Sequence, residues 1–239
     1  FREAGGAVFH YQKFNGHIGD SDIHGSLTYR QGKPRPKLTG ELESRQLRMA
    51  DLGPLIGVDS GIGSEKTEQA KAKRGEASTQ PADRVLPHDK FDTKNWDVMD
   101  ADVKFSGKRI EHGSSLPISD LNTHLVLNNG DLRLDPLRFA MAGGTLNATI
   151  HLEGDKTPMR GRADIHARKL RLRQLFTGVE AMQSSLGQLN GDASLSGRGN
   201  SVADLLATSN GDLKLLMNDG LISRNLMEIL GLNVGNFII

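Results

Sequence analysis

Apolar and polar residues alternate with a period of two through most of this chain, and most cleanly between Leu121 and Gly154. Leu121, Thr123, Leu125 and Leu127 fall on one side of an extended strand, with Asn122, His124 and Asn128 opposite. Asn129-Gly130 follows, a dipeptide that takes positive φ readily and predicts a tight hairpin turn. Leu132 and Leu134 share a face of the next strand. Asp135-Pro136 then shifts the phase by one residue, and Leu137, Phe139 and Met141 continue the apolar row. That shift predicts a β-bulge, where the missing N–H of proline has no consequence. Gly143-Gly144 predicts the next turn, after which Leu146, Ala148, Ile150 and Leu152 alternate with Thr145, Asn147, Thr149 and His151. The pattern is a meander with one apolar and one polar face.

The flanking sequence extends the same theme. Val8 to Gln12 reads as a strand with a turn at Asn15-Gly16, and Ile23 to Tyr29 as a second strand. Gln31 to Pro36 is a polar turn. Leu38 to Met49 is a long strand running into a short helical turn at Ala50–Ile56. From Val98 to Ile110 the alternation resumes, and further strands are expected at Met159–Leu172, where Ile165 joins the apolar row, at Ser184–Gly197 and at Asn210–Leu221. Ser201-Val-Ala-Asp204 has the spacing of a capping box and predicts a short helix through Ala207. A second short helix is expected over Arg224–Leu232. Between Val58 and Lys90 there is almost nothing to bury, so a mobile polar linker is expected. The organisation is thus an upstream β unit over 1–57, a linker or insertion over 58–90, and a groove region over 91–239 that continues the same sheet.

An internal repeat supports this division. Residues 19–52 slide onto 142–175 without a gap: Ile23 to Leu27 falls on Leu146 to Ile150, Ser44 to Met49 on Ala167 to Leu172, and Leu52 on Leu175. Asn-Gly also recurs at Asn15, Asn129, Asn190 and Asn210. Repeated antiparallel hairpin units joined in one long curled sheet, with a few short helices, are the expected fold.

Composition decides what kind of sheet this is. The 239 residues are 36% hydrophobic and 5% aromatic, with 28 glycines, which suits many short strands and a thin apolar lining. Two short helices are too small to cover such a sheet. It must either fold onto itself as a filled sandwich or curl into an apolar trough that needs a ligand. The scarcity of aromatics favours the trough. The candidate lining is Leu121, Leu125, Leu127, Leu132, Leu134, Leu137, Phe139, Met141, Leu146, Ile150, Leu152 and Ile165. Such a wall suits lipid acyl chains, since each methylene withdrawn from water gains ~0.8 kcal/mol.

Other chemistry finds little support. A formal net charge of +1 gives no electrostatic case for nucleic acid, and the absence of cysteine excludes disulfides and thiolate metal sites. The eight histidines have no metal-binding spacing and fall mostly on polar faces, where solvation is expected. Gly19-Asp20-Ser21-Asp22 is similar to a lipase nucleophile block but has no Asp-x-x-His partner late in the chain. Asp20 to Gly25 begins like a calcium loop and departs from it at His24 and Gln31. Gly197-Arg198-Gly199 lacks the strand–helix context of a dinucleotide site. Arg168, Lys169, Arg171 and Arg173 form a basic cluster, best read as a solvated strand face, with headgroup contact as the alternative. No enzyme activity and no cofactor are expected. No apolar run of about 20 residues spans a bilayer. Starting at Phe1 without methionine and stopping at Asn236-Phe237-Ile238-Ile239, the chain reads as a piece of a longer protein, with any signal or anchor outside it.

The sequence resembles the AsmA family through Leu132-Arg-Leu-Asp-Pro-Leu-Arg-Phe-Ala-Met-Ala-Gly-Gly144 followed by Leu146. The resemblance continues through Gly191 to Gly199 and Gly211 to Gly220, covering roughly Trp96 to Leu232, with an upstream unit at Gly16–Asp20 and Gly40–Leu52. It implies a β-rich periplasmic protein of Gram-negative bacteria, anchored in the inner membrane. Its long groove would carry phospholipid toward the outer membrane and support envelope integrity. Phospholipid or other acyl chains are then the expected ligand. A scaffold for outer-membrane proteins, working through exposed strand edges, is the alternative.

Overall fold

The computed structural model describes residues 2–3, 6–48, 90–91, 93, 96–111, 118–175 and 187–218. Eleven strands form one open sheet in which the order across the sheet is the order along the chain. They are β1 (Arg2–Glu3), β2 (Gly6–Ile18), β3 (Ser21–Arg30), β4 (Lys37–Arg48), β5 (Asp100–Glu111), β6 (Ile118–Asn128), β7 (Asp131–Met141), β8 (Gly144–Glu153), β9 (Arg160–Arg171), β10 (Gln188–Arg198) and β11 (Asn210–Asn218). Among the described residues two short helices accompany them, α1 (Leu172–Leu175) and α2 (Val202–Ala207). The mainly β, long-sheet architecture read from the alternation is the one observed.

The central meander folds as its sequence dictates. Asn129 and Gly130 both take positive φ, 51° and 80°, which gives the β6–β7 hairpin the twist of its strands. At Asp135-Pro136 both neighbours run through in regular register while β7 carries one residue more. Leu134 and Leu137 therefore stand beside Leu125 and Thr123 on one side, and beside Ile150 and Ala148 on the other. The bulge keeps all of them on one face. The next turn lies one residue earlier than expected, at Ala142 and Gly143 with φ of 47° and 73°, and Gly144 already belongs to β8.

The repeat is visible in three dimensions. The slide that lays 19–52 on 142–175 carries β3 onto β8 and β4 onto β9, end residue for end residue. Leu47 and Leu170, at the same place in the two copies, are both buried. After that the copies diverge. β9 is followed by antiparallel β10, whereas β4 is followed by parallel β5, with Lys37 beside Asp100 and Leu47 beside Ile110. This parallel pair is a departure from uniform hairpins. Parallel neighbours need a long return connection, and the stretch from 49 to 99 supplies it. Most of the expected linker, the helical turn at Ala50–Ile56 and the helix at Arg224–Leu232 lie outside the described residues.

Three of the four Asn-Gly pairs are not turns. Asn15 and Gly16 pair within β2 with His24 and Ile23, and the chain turns instead at Gly19-Asp20. Asn190-Gly191 and Asn210-Gly211 also lie inside strands. A local dipeptide preference yields where the ladder continues past it: Asn15 Oδ1 lies 2.7 Å from His24 Nδ1, and Asn190 Oδ1 accepts the Lys169 amide at 3.0 Å beside the β9–β10 irregularity. Val98 likewise falls in a turn, with β5 beginning at Asp100. The N-cap half of the expected capping box forms: Ser201 Oγ accepts the Asp204 amide at 3.0 Å and starts α2, while the Asp204 carboxylate accepts the Asn200 amide at 3.4 Å.

Candidate functional site

Residues directly opposite in neighbouring strands share a face, so register converts twelve separate positions into a surface. One line across the sheet runs Tyr11, Leu27, Gly40, Val103, Leu125, Leu134, Ile150, Ala163, Leu195 and Gly211. The line beside it runs Phe14, Gly25, Leu42, Phe105, Thr123, Leu137, Ala148, Ile165, Ala193 and Leu213. Leu127, Leu132 and Leu152 lie on a third, while Phe139 pairs with Leu146, Met141 with Ile118, and Leu121 with Gly107. The predicted lining residues thus come together on one face. The parallel β4–β5 junction does not interrupt it. From β2 to β11 the apolar band extends ~43 Å at the usual strand spacing, against about 15 Å for half the hydrocarbon thickness of a bilayer.

What lies over this face varies along the strands. Toward one end, Trp96 packs on Leu152 and Met159, with Phe91, Leu127, Leu132, Ile150 and Leu205 around them. Backbone bonds hold that cap: Gly130 N–H donates to Trp96 O at 3.1 Å, and Phe91 N–H to Asn200 O at 2.7 Å. Two glycines make room for it, since a Cβ at Gly154 would sit 2.7 Å from the Trp96 ring and one at Gly161 3.0 Å from Leu205. Toward the other end Leu172 of α1 is buried with Leu175, Leu189 and Met217 around it. Between these caps the middle lines are half-buried, apart from Val103 and the small Ala148. Of the twelve predicted residues only Leu152 is fully buried, and Trp96 and Met159 account for it. Among the described residues each strand packs on its sheet neighbours, and no second sheet covers the middle lines. Toward the two edges, in β2 and β11, the face is most open, with Tyr11 56% and Leu213 52% exposed.

The opposite face is polar and paired. His124 Nε2 lies 2.8 Å from Asp102, His151 Nε2 2.6 Å from Asp131, and His166 Nδ1 2.6 Å from Asp192. These histidines are bound to aspartates across the ladder and are not simply solvated. His124 lowers the Asp102 carboxyl below its ordinary value, and His166, then Arg168, do the same for Asp192. Arg168, one of the basic cluster, is therefore neutralised at 2.7 Å by Asp192. Asp20, in the lipase-like block, is bound by Arg48, and Asp22 is occupied by β4. No group of three or more metal-ligating side chains occurs among the described residues. No helix among them is long and apolar enough to cross a membrane.

The chain is 70% identical over 233 residues to the AsmA family protein YhjG of Escherichia coli (strain K12), an alignment that takes in 98% of this chain and 34% of that protein. It therefore spans about a third of the length of that relative. No solved structure matches it. The family model for AsmA matches residues 6–239, nearly the whole chain. With a one-sided β ladder, an apolar face and these matches in agreement, the chain belongs to the AsmA family.

Proposed function

We propose that this chain is a section of a periplasmic protein, held at the inner membrane by a segment outside the sequence described, whose apolar face shelters phospholipid acyl chains between the two membranes. The observation that carries this reading is the unbroken apolar band across ten strands with half-buried middle lines. A band of that kind left to water is unfavourable unless something apolar lies on it. A chain of ~16 carbons gains on the order of 10 kcal/mol when so sheltered. The function is non-enzymatic: acyl shelter needs a continuous wall and no reacting group or cofactor.

Native mass spectrometry of the purified chain tests it. Phospholipid should co-purify, and Leu134→Asp, at the centre of the band, should remove it while the circular dichroism spectrum stays that of a β protein. Equal lipid in both proteins sinks the proposal. A second reading, an assembly scaffold for outer-membrane proteins, draws on the two strand edges, since among the described residues β11 pairs only with β10 and β1 covers only the start of β2. Crosslinks from edge residues such as Phe9 to a protein client, with no lipid at Leu134, distinguish the two.

A further inference from the structure

On the polar face, three arginines gather where β8, β9 and β10 approach the turn from α2 into β11. Arg160 stands directly opposite Arg198 in the β9–β10 ladder, and Arg162, two residues along β9, shares their face. A cavity of about 470 Å³ opens among the three, with His151, Glu153 and Ser196 on its wall. Elsewhere on this face arginines meet carboxylates: Arg35 with Asp100 at 2.9 Å, Arg168 with Asp192 at 2.7 Å and Arg133 with Asp131 at 3.4 Å. Arg160, Arg162 and Arg198 have no such partner among the described residues, and the ring of His151 is already turned to Asp131. Like charges directly opposite in a ladder are destabilising. A fold that places them there, around a cavity and without counter-charge beyond Glu153, has the makings of an anion site.

We propose that this cavity binds a phosphate group, held by the guanidinium forks of Arg160, Arg162 and Arg198. Planar, permanently charged guanidinium matches the paired oxygens of phosphate, and such charge-assisted bonds are about twice as strong as neutral ones. The site lies on the face opposite the apolar band and stands whether or not that band carries acyl chains. The same phosphate chemistry belongs to a soluble phosphate ester and to a lipid headgroup.

Titration of the whole chain with inorganic phosphate, followed by phosphorus NMR line width, is the test. Saturable binding is expected, weakened at least about tenfold in the Arg160→Ala/Arg162→Ala/Arg198→Ala variant. It should be unchanged in Arg109→Ala/Arg138→Ala, which removes two exposed arginines elsewhere on the sheet. Flotation with phosphatidylcholine vesicles, with and without phosphatidylglycerol, separates the sources. Flotation lost in the triple variant assigns the site to a headgroup, and flotation absent in every protein assigns it to a soluble ester. No saturable phosphate binding, or equal weakening in both variants, overturns the proposal. Should the triple variant fail to fold, phenylglyoxal labelling of the unaltered chain decides. Phosphate must protect Arg160, Arg162 and Arg198 while leaving Arg109 and Arg138 reactive, and uniform labelling overturns the site.

Discussion

The β3–β4 ladder stops at the His24–Glu43 pair, and beyond it the Asp22 carboxylate accepts the amide protons of Arg45 and Gln46 and the hydroxyl proton of Ser44. The Gln46 amide does most to hold this carboxyl far below its ordinary 3.8; burial acts the other way, and His24, Arg45 and Ser44 add to the lowering. A carboxyl depressed on folding stabilises above its unfolded pKa, and the gain is lost as pH falls from there through the folded value. Asp22→Asn should therefore ease opening of the Arg45 and Gln46 amides by about 2 kcal/mol near neutral pH. The difference from the unaltered chain should shrink well below pH 3.8, as amide exchange would show; a difference constant with pH refutes the charge assignment. On the other face Thr123 places a buried hydroxyl, with no partner among the described residues, between Phe105 and Leu137. Thr123→Val removes that unsatisfied group at equal volume and should stabilise β5–β7 by about 1 kcal/mol. Loss of stability in urea unfolding would show that the hydroxyl is satisfied in solution.

At the scale of the strand, side-chain phase is the quantity that matters, because a one-residue slip sends every apolar group to the other face. Asp135-Pro136 is the informative place. Since β7 carries its extra residue there, deleting Pro136 restores a regular strand with Leu134 and Leu137 still on the apolar face. Deleting Val126 from the regular part of β6 instead separates Leu125 from Leu127 in phase. The first deletion should keep the β fold, together with whatever lipid co-purifies with the unaltered chain, and the second should lose both. Equal damage from the two would mean that the bulge serves more than phase. The bulge was legible from Leu132, Leu134, Leu137 and Phe139 alone, as was α2 from Ser201 and Asp204, because both depend on residues within one or two turns of each other. Asn15 and Asn190 misled because their side chains bond to a neighbouring strand as readily as they make turns, and only that strand decides which.

At the scale of the molecule, the described residues form a single layer with no central core to couple distant strands. Each inner strand is stabilised by two neighbours and each edge strand by one, as in repeat proteins, so opening should proceed from the edges inward. Hydrogen exchange is expected to show protection highest across β6 to β9, where Trp96 and Met159 add a local cap, and lowest in β2 and β11. One uniform protection level for all strands would contradict this and point to a facing layer.

The sequence by itself determined the strands, the bulge, the repeat and the single apolar face, because each is written in a period of two or in a turn a few residues long. Tertiary structure alone decided that β4 and β5 run parallel and that Trp96 and Leu205 close one end of the band. It alone also brought Arg160, Arg162 and Arg198 round one cavity. Met159-Arg-Gly-Arg162 alternates as any strand does, and Arg198 lies a strand away, so their meeting depends on register between segments distant along the chain. Register is a property of pairs of strands, and no local pattern encodes which pairs will form.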